Sequence, residues 1–199
     1  RGEHDDEATP PVGLPHLTEF IVALGTMERR MNLPTLVDAF VRLAREQSTV
    51  RLFIAGATGN DVGAVDRAIA RLSPEVAERV VRTGAVDGAT KRWLLGHARA
   101  LAYPSLDEGF GFPVLEAQQA GTPVVASTAG SIPQVAGAAA LLSPASDSEA
   151  LAANLHWIVT NDEMHAKLVR RGTANVARFS WATTAERYHM MYREVVEDA

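Results

Sequence analysis

The sequence contains no cysteine, so it can form neither a disulfide framework nor a thiolate metal site. It also lacks an excess of basic residues, since 19 lysines and arginines stand against 24 aspartates and glutamates, a formal net charge of -5. Nucleic-acid binding calls for a basic surface, so we expect no nucleic-acid partner. No apolar run reaches the roughly 18 residues of a membrane-spanning helix, and the first residues do not follow a signal-peptide layout. These absences favour a cytoplasmic protein, with peripheral membrane attachment of a longer polypeptide left open.

The chain is rich in apolar residues, which make up 47% of its 199 positions. This content and length are enough for one domain with its own core. Residues 1–17 differ from the rest, because an acidic cluster is followed there by several prolines. We therefore expect a linker or flexible lead-in at 1–17 and a folded domain over 18–199. The first residue is Arg1 rather than Met, which fits a piece of a longer polypeptide.

Short apolar runs alternate with longer helical patterns along the domain. The runs predict six strands, at 20–24, 51–55, 80–83, 100–103, 123–126 and 140–142. The helical patterns lie at 33–46, 62–72, 88–97, 113–120, 132–135, 148–160, 162–179 and 182–196. This alternation predicts an α/β fold with a doubly wound, mainly parallel, six-stranded Rossmann-like sheet and extra C-terminal helices. Ligands of such sheets bind beyond the carboxyl ends of the strands.

The most informative segment is E-G-F-G-F-P-V-L-E at 108–116, which begins with Glu108 and ends with Glu116. Pro113 has a helical φ and no N–H group, so we expect a helix to start there. The free N–H groups of its first turn and the positive end of its dipole suit a phosphate. Glu116 follows about one turn later, where we expect a buried carboxylate that accepts hydrogen bonds from sugar hydroxyls. The segment therefore predicts a nucleotide-sugar pocket.

Together with several other motifs in the same order, this segment resembles the donor site of retaining glycosyltransferases of family 4, which have the two-domain GT-B fold. The other motifs lie at 25–32, 52–56, 84–86, 103–105, 120–126, 131–139 and 179–181. The resemblance covers about 20–181 and implies the C-terminal, donor-binding half of a GT-B fold. It also implies a separate N-terminal domain that binds the acceptor, so this chain alone is expected to be inactive.

The resemblance implies a role for each carboxylate of the segment. Glu116 is similar to the residue that binds the ribose hydroxyls, as an acidic residue does in dinucleotide sites. Glu108, the one implied catalytic residue, would hydrogen-bond the transferred sugar and favour positive charge at the anomeric carbon. Val86 is similar to the residue whose backbone contacts the nucleobase, and an ordinary β–α turn is the alternative there. An ordinary surface ion pair is the alternative for Glu116, and a solvated loop residue is the alternative for Glu108.

The remaining donor-binding residues are implied by the same resemblance. Gly109 and Gly111 allow close backbone approach and positive φ. We interpret Phe110 and Phe112 as donor-site residues that hold the loop by packing rather than by stacking on the base.

One departure concerns the diphosphate. The family clamps it with an arginine and a lysine near the first β–α loop, which here starts at Gly25. Met31 stands where the lysine is usual, so Arg30 (or failing that Arg29) has to supply the charge alone.

We therefore expect a hexosyltransferase that uses a UDP-, GDP- or ADP-sugar as substrate and needs no cofactor and no metal. The acceptor would be a glycan, a lipid or a small molecule. We expect four aromatic residues in a core or at an interdomain surface: Trp157, Trp181, Tyr188 and Tyr192. The last helix is expected to expose Tyr188, Met191 and Val195, and this face favours self-association. The alternatives are half of a GT-B sugar-nucleotide epimerase, a non-catalytic nucleotide-binding or scaffolding domain, and an α/β module that binds no nucleotide.

Overall fold

The computed structural model describes residues 19–197, so the predicted lead-in at 1–17 lies outside the described residues. The strands are β1 Phe20–Leu24, β2 Arg51–Ala55, β3 Val80–Gly84, β4 Ala100–Tyr103, β5 Val124–Ser127 and β6 Ala140–Ser143. The helices are α1 Leu33–Glu46, α2 Val62–Ala70, α3 Pro74–Ala77, α4 Gly88–His97, α5 Phe112–Gln119, α6 Ile132–Ala136, α7 Ser148–Thr160, α8 Asp162–Val176 and α9 Trp181–Glu197. A 3₁₀ turn at Arg29–Met31 precedes α1.

The six strands form one sheet in the order β3-β2-β1-β4-β5-β6, and every neighbouring pair is parallel. This confirms the predicted Rossmann-like α/β fold. The strand order reverses between β1 and β4, which pair through Ile21 with Ala100 and Val22 with Leu101. A crevice opens at the carboxyl ends of the strands at such a reversal, and ligands of open α/β sheets bind there.

The central strands are buried on both faces. All residues of β1, β4 and β5 are buried, which explains why each reads as a continuous apolar run rather than an alternating one. Helix α1 covers one face with a stripe of buried residues spaced three and four apart: Leu33, Leu36, Val37, Phe40, Leu43 and Ala44. This core fixes the strand ends, and the strand ends position the loops above them.

The loops after β1, β2 and β3 are joined through their backbones. Gly25 N donates to Ala55 O at 3.0 Å, and Gly56 N donates to Gly84 O at 2.9 Å. A Cβ atom at Gly56 would lie 2.0 Å from Gly25 O, a separation that no side chain can tolerate. Glycine is therefore required at position 56 for steric reasons.

Some predicted elements have different limits in the structure. The helix predicted at 62–72 ends at Ala70, because Pro74 begins a separate short helix, α3, that the sequence pattern did not indicate. The helix predicted to start at Pro113 starts one residue earlier, at Phe112. Asp147 caps α7, since its carboxylate accepts from Glu149 N at 3.1 Å and Ala150 N at 2.8 Å.

Four aromatic residues were expected in a core or at an interdomain surface. Trp157, Trp181, Tyr188 and Tyr192 are all exposed, so none of them fills a core, and the interdomain surface stays a prediction. The buried face of α7 is formed instead by Leu151, Leu155 and Ile158. Helix α9 is exposed at every position from 181 to 196, including Tyr188, Met191 and Val195 as predicted. Within residues 19–197, no helix combines the length and apolar character needed to cross a membrane.

Candidate functional site

The site lies at the strand reversal, where the loop after β1 meets the loop after β4. Leu106 N donates to Arg30 O at 2.7 Å, which joins the two loops directly. Asn32 has a left-handed backbone, with φ of 56°, and its side-chain amide donates to Pro104 O at 3.0 Å and to Ala145 O at 2.7 Å. These contacts hold the 3₁₀ turn with Arg30 against the end of β4.

The loop that carries Glu108 is anchored from its other side by the segment before α6. The Ser131 hydroxyl lies 3.0 Å from Glu108 O and 2.9 Å from Phe110 O, and Ser131 N donates to Glu108 O at 3.0 Å. A Cβ atom at Gly130 would lie 2.4 Å from Glu108 O, so the two backbones are in direct contact there. The backbone at Glu108 is therefore fixed before any ligand binds.

Helix α5 starts in this loop, and its first residues face the crevice. Gly111 precedes the helix with a φ of 92°, in the left-handed region that glycine adopts without strain. Of the two glycines that allow a positive φ, Gly111 adopts one in the structure and Gly109 does not. A Cβ atom at Gly109 would meet nothing within 4 Å, so the free space beside it faces the crevice and not a packed neighbour.

Glu108 is the centre of a hydrogen-bonded charge cluster. Arg30 Nη1 and the Tyr103 hydroxyl both donate to Glu108 Oε1, and Arg30 Nε donates to Glu28 Oε2 at 2.9 Å. The Glu108 side chain is only 12% exposed, whereas Arg30 is 46% exposed. Arg30 and Glu108 are 78 positions apart in sequence, so the fold alone brings them together.

Burial and the surrounding charges act on both donors of this cluster. Burial, followed by the hydrogen bond and negative charge of Glu108, raises the pKa of the Tyr103 phenol far above its ordinary value. Tyr103 therefore keeps its proton and remains a donor. Burial opposes the charge of Arg30, but Glu108 and the hydrogen bonds to Glu28 and Tyr103 outweigh it and raise the pKa of Arg30.

Met31 does not supply a charge to this cluster. Its side chain is 1% exposed and accepts a weak hydrogen bond from the Ser105 hydroxyl to its sulfur at 3.8 Å. A Cβ atom at Gly25 would lie 2.8 Å from Met31 Cε, so the thioether fills the space beneath the first loop. The cation of this loop that reaches Glu108 is Arg30 rather than Arg29, the other arginine considered from the sequence.

Most of the predicted site residues line a cavity of about 470 Å³. Its lining includes Gly25, Arg30, Glu108, Gly109, Phe110, Gly111 and Phe112, together with Met31 and Tyr103. Phe110 packs against Phe112, with 4.7 Å between ring centroids, and against Phe179 at 5.9 Å. Phe110 is partly buried, as expected of a residue that holds the loop, whereas Phe112 is 53% exposed and stacks on Trp181.

Glu116 lies one turn into α5 and borders a second cavity, of about 530 Å³, that shares Phe110 and Phe112 with the first. The expectation that Glu116 is buried was wrong: its side chain is 37% exposed. Its Oε1 accepts from Lys91 Nζ of α4 at 2.6 Å. The opposite face of α5 is buried through Val114, Ala117 and Gln118, and this packing directs Glu116 outward.

Val86 lies apart from these two cavities. It follows β3 and is partly buried against the core, immediately before Asp87, whose carboxylate caps α4 by accepting from Thr90 N at 2.7 Å. That cap lowers the pKa of Asp87. Val86 and Lys91 are therefore held by the start of the same helix, on the Glu116 side of the site.

Sequence reasoning gave no site role to four residues. Tyr103, Lys91 and Ser131 contact a predicted carboxylate or its backbone, and Glu28 pairs with Arg30. Tyr103 and Ser131 had a usable signal, because they belong to the motifs at 103–105 and 131–139 that carry the resemblance. Among the described residues, no group of three or more histidines, aspartates or glutamates is placed to hold a metal ion.

Comparison with curated proteins gives relatives of known type. The O-antigen chain mannosyltransferase B of Escherichia coli is 32% identical over 163 residues, which cover 81% of this chain and 42% of that protein. The chain thus spans less than half of that relative.

Two solved structures show the same fold. A sucrose-phosphate synthase from Thermosynechococcus elongatus matches with a TM-score of 0.77 and 24% identity, over 94% of this chain and 47% of the other. The C-terminal domain of a group 1 glycosyl transferase from Francisella tularensis matches with a TM-score of 0.73 and 17% identity, over 80% of this chain and 85% of that domain.

The family comparison covers most of the described chain. The family described as glycosyl transferases group 1 matches residues 18–161, from the start of β1 to the end of α7. This range includes both loops that form the charge cluster and all six strands beneath them. The chain therefore belongs to the group 1 glycosyl transferases.

Proposed function

We propose that this chain is the C-terminal, donor-binding domain of a family 4 glycosyltransferase that transfers a hexose from a nucleotide sugar with retention of configuration. The observation that carries this proposal is the meeting of Arg30 and Glu108 in one cavity, above the first turn of α5. An arginine and free N–H groups suit a diphosphate, and a neighbouring carboxylate suits sugar hydroxyls. The name of the Escherichia coli relative, a mannosyltransferase, supports hexosyl transfer.

The residues would divide the donor among them. Arg30 and the N-terminal amides of α5 would bind the diphosphate, with Gly25, Gly109 and Gly111 allowing the backbone to come close. Glu108 would accept hydrogen bonds from the transferred sugar. As positive charge develops at the anomeric carbon, the fixed carboxylate would stabilise it.

The nucleoside would lie on the other side of Phe110 and Phe112. Glu116 would accept from the two ribose hydroxyls, and the backbone at Val86 would contact the base. The ion pair with Lys91 supports this role, because it shows that the carboxylate accepts hydrogen bonds at the surface of α5, where a ligand can reach it. Binding then requires the ribose to compete with the ammonium of Lys91 or to share the carboxylate with it.

The acceptor would bind to a second domain, in the part of the relatives that this chain does not span. The match to a C-terminal domain from Francisella tularensis supports the assignment of this chain to the C-terminal half. The apolar face of α9 would contact that second domain. In its absence the same face would favour self-association of the chain.

A nucleotide panel tests the proposal. Calorimetric titration with UDP, GDP and ADP, without metal, should give saturable binding of one of them at a stoichiometry of one.

The competing function is a non-catalytic nucleotide-binding domain, which the buried Met31 favours because it leaves Arg30 as the cation beside Glu108. Nucleotide binding by a longer polypeptide that neither transfers nor hydrolyses sugar would support that second function. Failure of all three nucleotides to bind would contradict both functions.

Replacing Glu116 with alanine should weaken binding of the nucleoside diphosphate by about 2 kcal/mol, or roughly 30-fold. The variant loses hydrogen bonds from two hydroxyls to an ionised acceptor, and the loss is limited because the carboxylate is already partly solvated. Calorimetry of wild type and variant with the bound nucleotide measures the difference.

The matched control is Glu163→Ala, which removes an exposed carboxylate from α8. It should leave the affinity unchanged, and Glu116→Ala should keep the circular dichroism spectrum of the wild type. An affinity within twofold of wild type in Glu116→Ala would assign Glu116 to the ion pair with Lys91 alone. Such exposed pairs contribute about 0–1 kcal/mol to stability.

A further inference from the structure

We propose that Tyr103 is a positioning residue for Glu108: its hydroxyl occupies one carboxylate oxygen so that the other faces the sugar of the donor. This inference rests on the proposed function, since it assigns a partner to the carboxylate that would contact the sugar. Tyr103 lies at the carboxyl end of β4, five positions before Glu108, and its side chain is 2% exposed. It is therefore held by the sheet, whereas Glu108 belongs to a loop.

The hydrogen bonds to the carboxylate are unequally distributed. Both described hydrogen bonds to Glu108, from Arg30 and from Tyr103, end on Oε1. None of the described residues donates to Oε2, and Oε2 is not among the described buried polar atoms without a partner. Since Glu108 lines the cavity of about 470 Å³, Oε2 is the oxygen that a ligand there can reach.

The two side chains that donate hydrogen bonds to Oε1 would respond differently when a nucleotide sugar binds. Arg30 is 46% exposed and also contacts Glu28, so it can turn toward a diphosphate. Tyr103 is buried and fixed by β4, and it cannot follow. The hydroxyl of Tyr103 would then be the contact that keeps the carboxylate in place while Arg30 serves the phosphates.

The surroundings of the hydroxyl support this role. Apart from Glu108, it interacts with the side chains of Arg30 and Ser105, and Ser105 is itself fully buried. Tyr103 keeps its proton because burial and Glu108 raise its pKa. A neutral donor adds no charge to a site that must accept a diphosphate, yet its hydrogen bond holds the carboxylate in a defined orientation.

The experiment compares intact nucleotide sugars with free nucleoside diphosphates. Wild type and Tyr103→Phe are titrated with UDP-glucose and UDP, GDP-mannose and GDP, and ADP-glucose and ADP. Tyr103→Phe should bind the preferred nucleotide sugar about tenfold more weakly, as expected for one lost hydrogen bond to a charged group, and the matching diphosphate within about twofold. Tyr188→Phe, which removes an exposed hydroxyl from α9, should change neither affinity.

The outcomes separate the two proposals. Equal weakening of both ligands, or no weakening, overturns the positioning role of Tyr103 while nucleotide binding still supports the proposed function. Absence of binding by wild type overturns the proposed function, and the role of Tyr103 falls with it.

A second measurement tests the contact without any ligand. The sequence has three tyrosines, so the double variant Tyr188→Phe/Tyr192→Phe leaves Tyr103 as the sole carbon-13-labelled tyrosine. Its ring-carbon resonance should move when Glu108→Ala is added and stay in place when Glu163→Ala is added. A resonance unmoved by Glu108→Ala would show that the hydroxyl does not hold the carboxylate, and would overturn the inference.

Discussion

Incubated with a nucleotide sugar and an acceptor, this chain alone is expected to bind the nucleotide and to transfer no sugar. The physical reason is that transfer needs the donor and acceptor held together, and such positioning can supply roughly 7–11 kcal/mol of the lowering of the barrier. This chain spans 42% of its Escherichia coli relative and carries the donor residues proposed above. Mass spectrometry of the acceptor, with GDP-mannose, UDP-glucose and ADP-glucose in turn, measures the transfer.

The informative control is a longer polypeptide that also contains the part of the relatives beyond this chain. That polypeptide should transfer sugar, and Glu108→Gln should abolish the transfer while nucleoside diphosphate binding remains. Transfer by the short chain above background, lost in Glu108→Gln, would contradict the view that this chain provides only the donor side.

Replacing Arg30 with alanine is expected to weaken nucleoside diphosphate binding by about 3–4 kcal/mol, several-hundredfold, while nucleoside binding changes less than threefold. Two effects add. The variant loses charge-assisted hydrogen bonds to phosphate, and it leaves the carboxylate of Glu108 facing the diphosphate without its arginine. Parallel titrations with the nucleoside and the diphosphate measure the difference.

Arg29→Ala is the matched control, because Arg29 is exposed and adjacent but does not line the cavity.

Met31→Lys tests the same charge in the opposite direction. Lysine is one atom longer than methionine, so its ammonium can extend from the buried position 31 toward the cavity, and diphosphate binding should strengthen, most at low salt. The free protein should be less stable, because without a diphosphate the ammonium gives up hydration at a nearly buried position. Equal effects of Arg30→Ala on nucleoside and diphosphate would place Arg30 away from the phosphates.

Most of the fold could be predicted because its signals are local. Strands such as β1 and helices such as α1 appear in the sequence as an apolar run and an amphipathic repeat, and both have the predicted limits. Two short elements were missed because their signals are weak. The 3₁₀ turn Arg29–Met31 covers three residues, and α3 covers four after a single proline.

Several residues of the candidate site could be proposed from motifs, but their contacts could not be predicted. The two glutamates and Arg30 were found from motifs, whereas the bonds that orient them join residues far apart in sequence. Lys91 and Glu116 are separated by 25 positions, and nothing in the sequence near α4 indicates that their side chains meet. The exposure of Glu116 was misjudged for the same reason, because the buried face of a short helix depends on which neighbours pack against it.

Helix α9 should open at a lower free energy than the sheet. Its 17 residues form a helix, yet all its side chains from 181 to 196 are exposed. Unfolding this helix therefore exposes almost no apolar surface that was buried in a core. Its amides should exchange with solvent hydrogen through local opening, whereas those of β1 and β4 should require opening of the sheet. A partner that covers the apolar face of α9 would slow only the faster class of amides, so exchange rates would record docking on this helix without any change in the melting of the core.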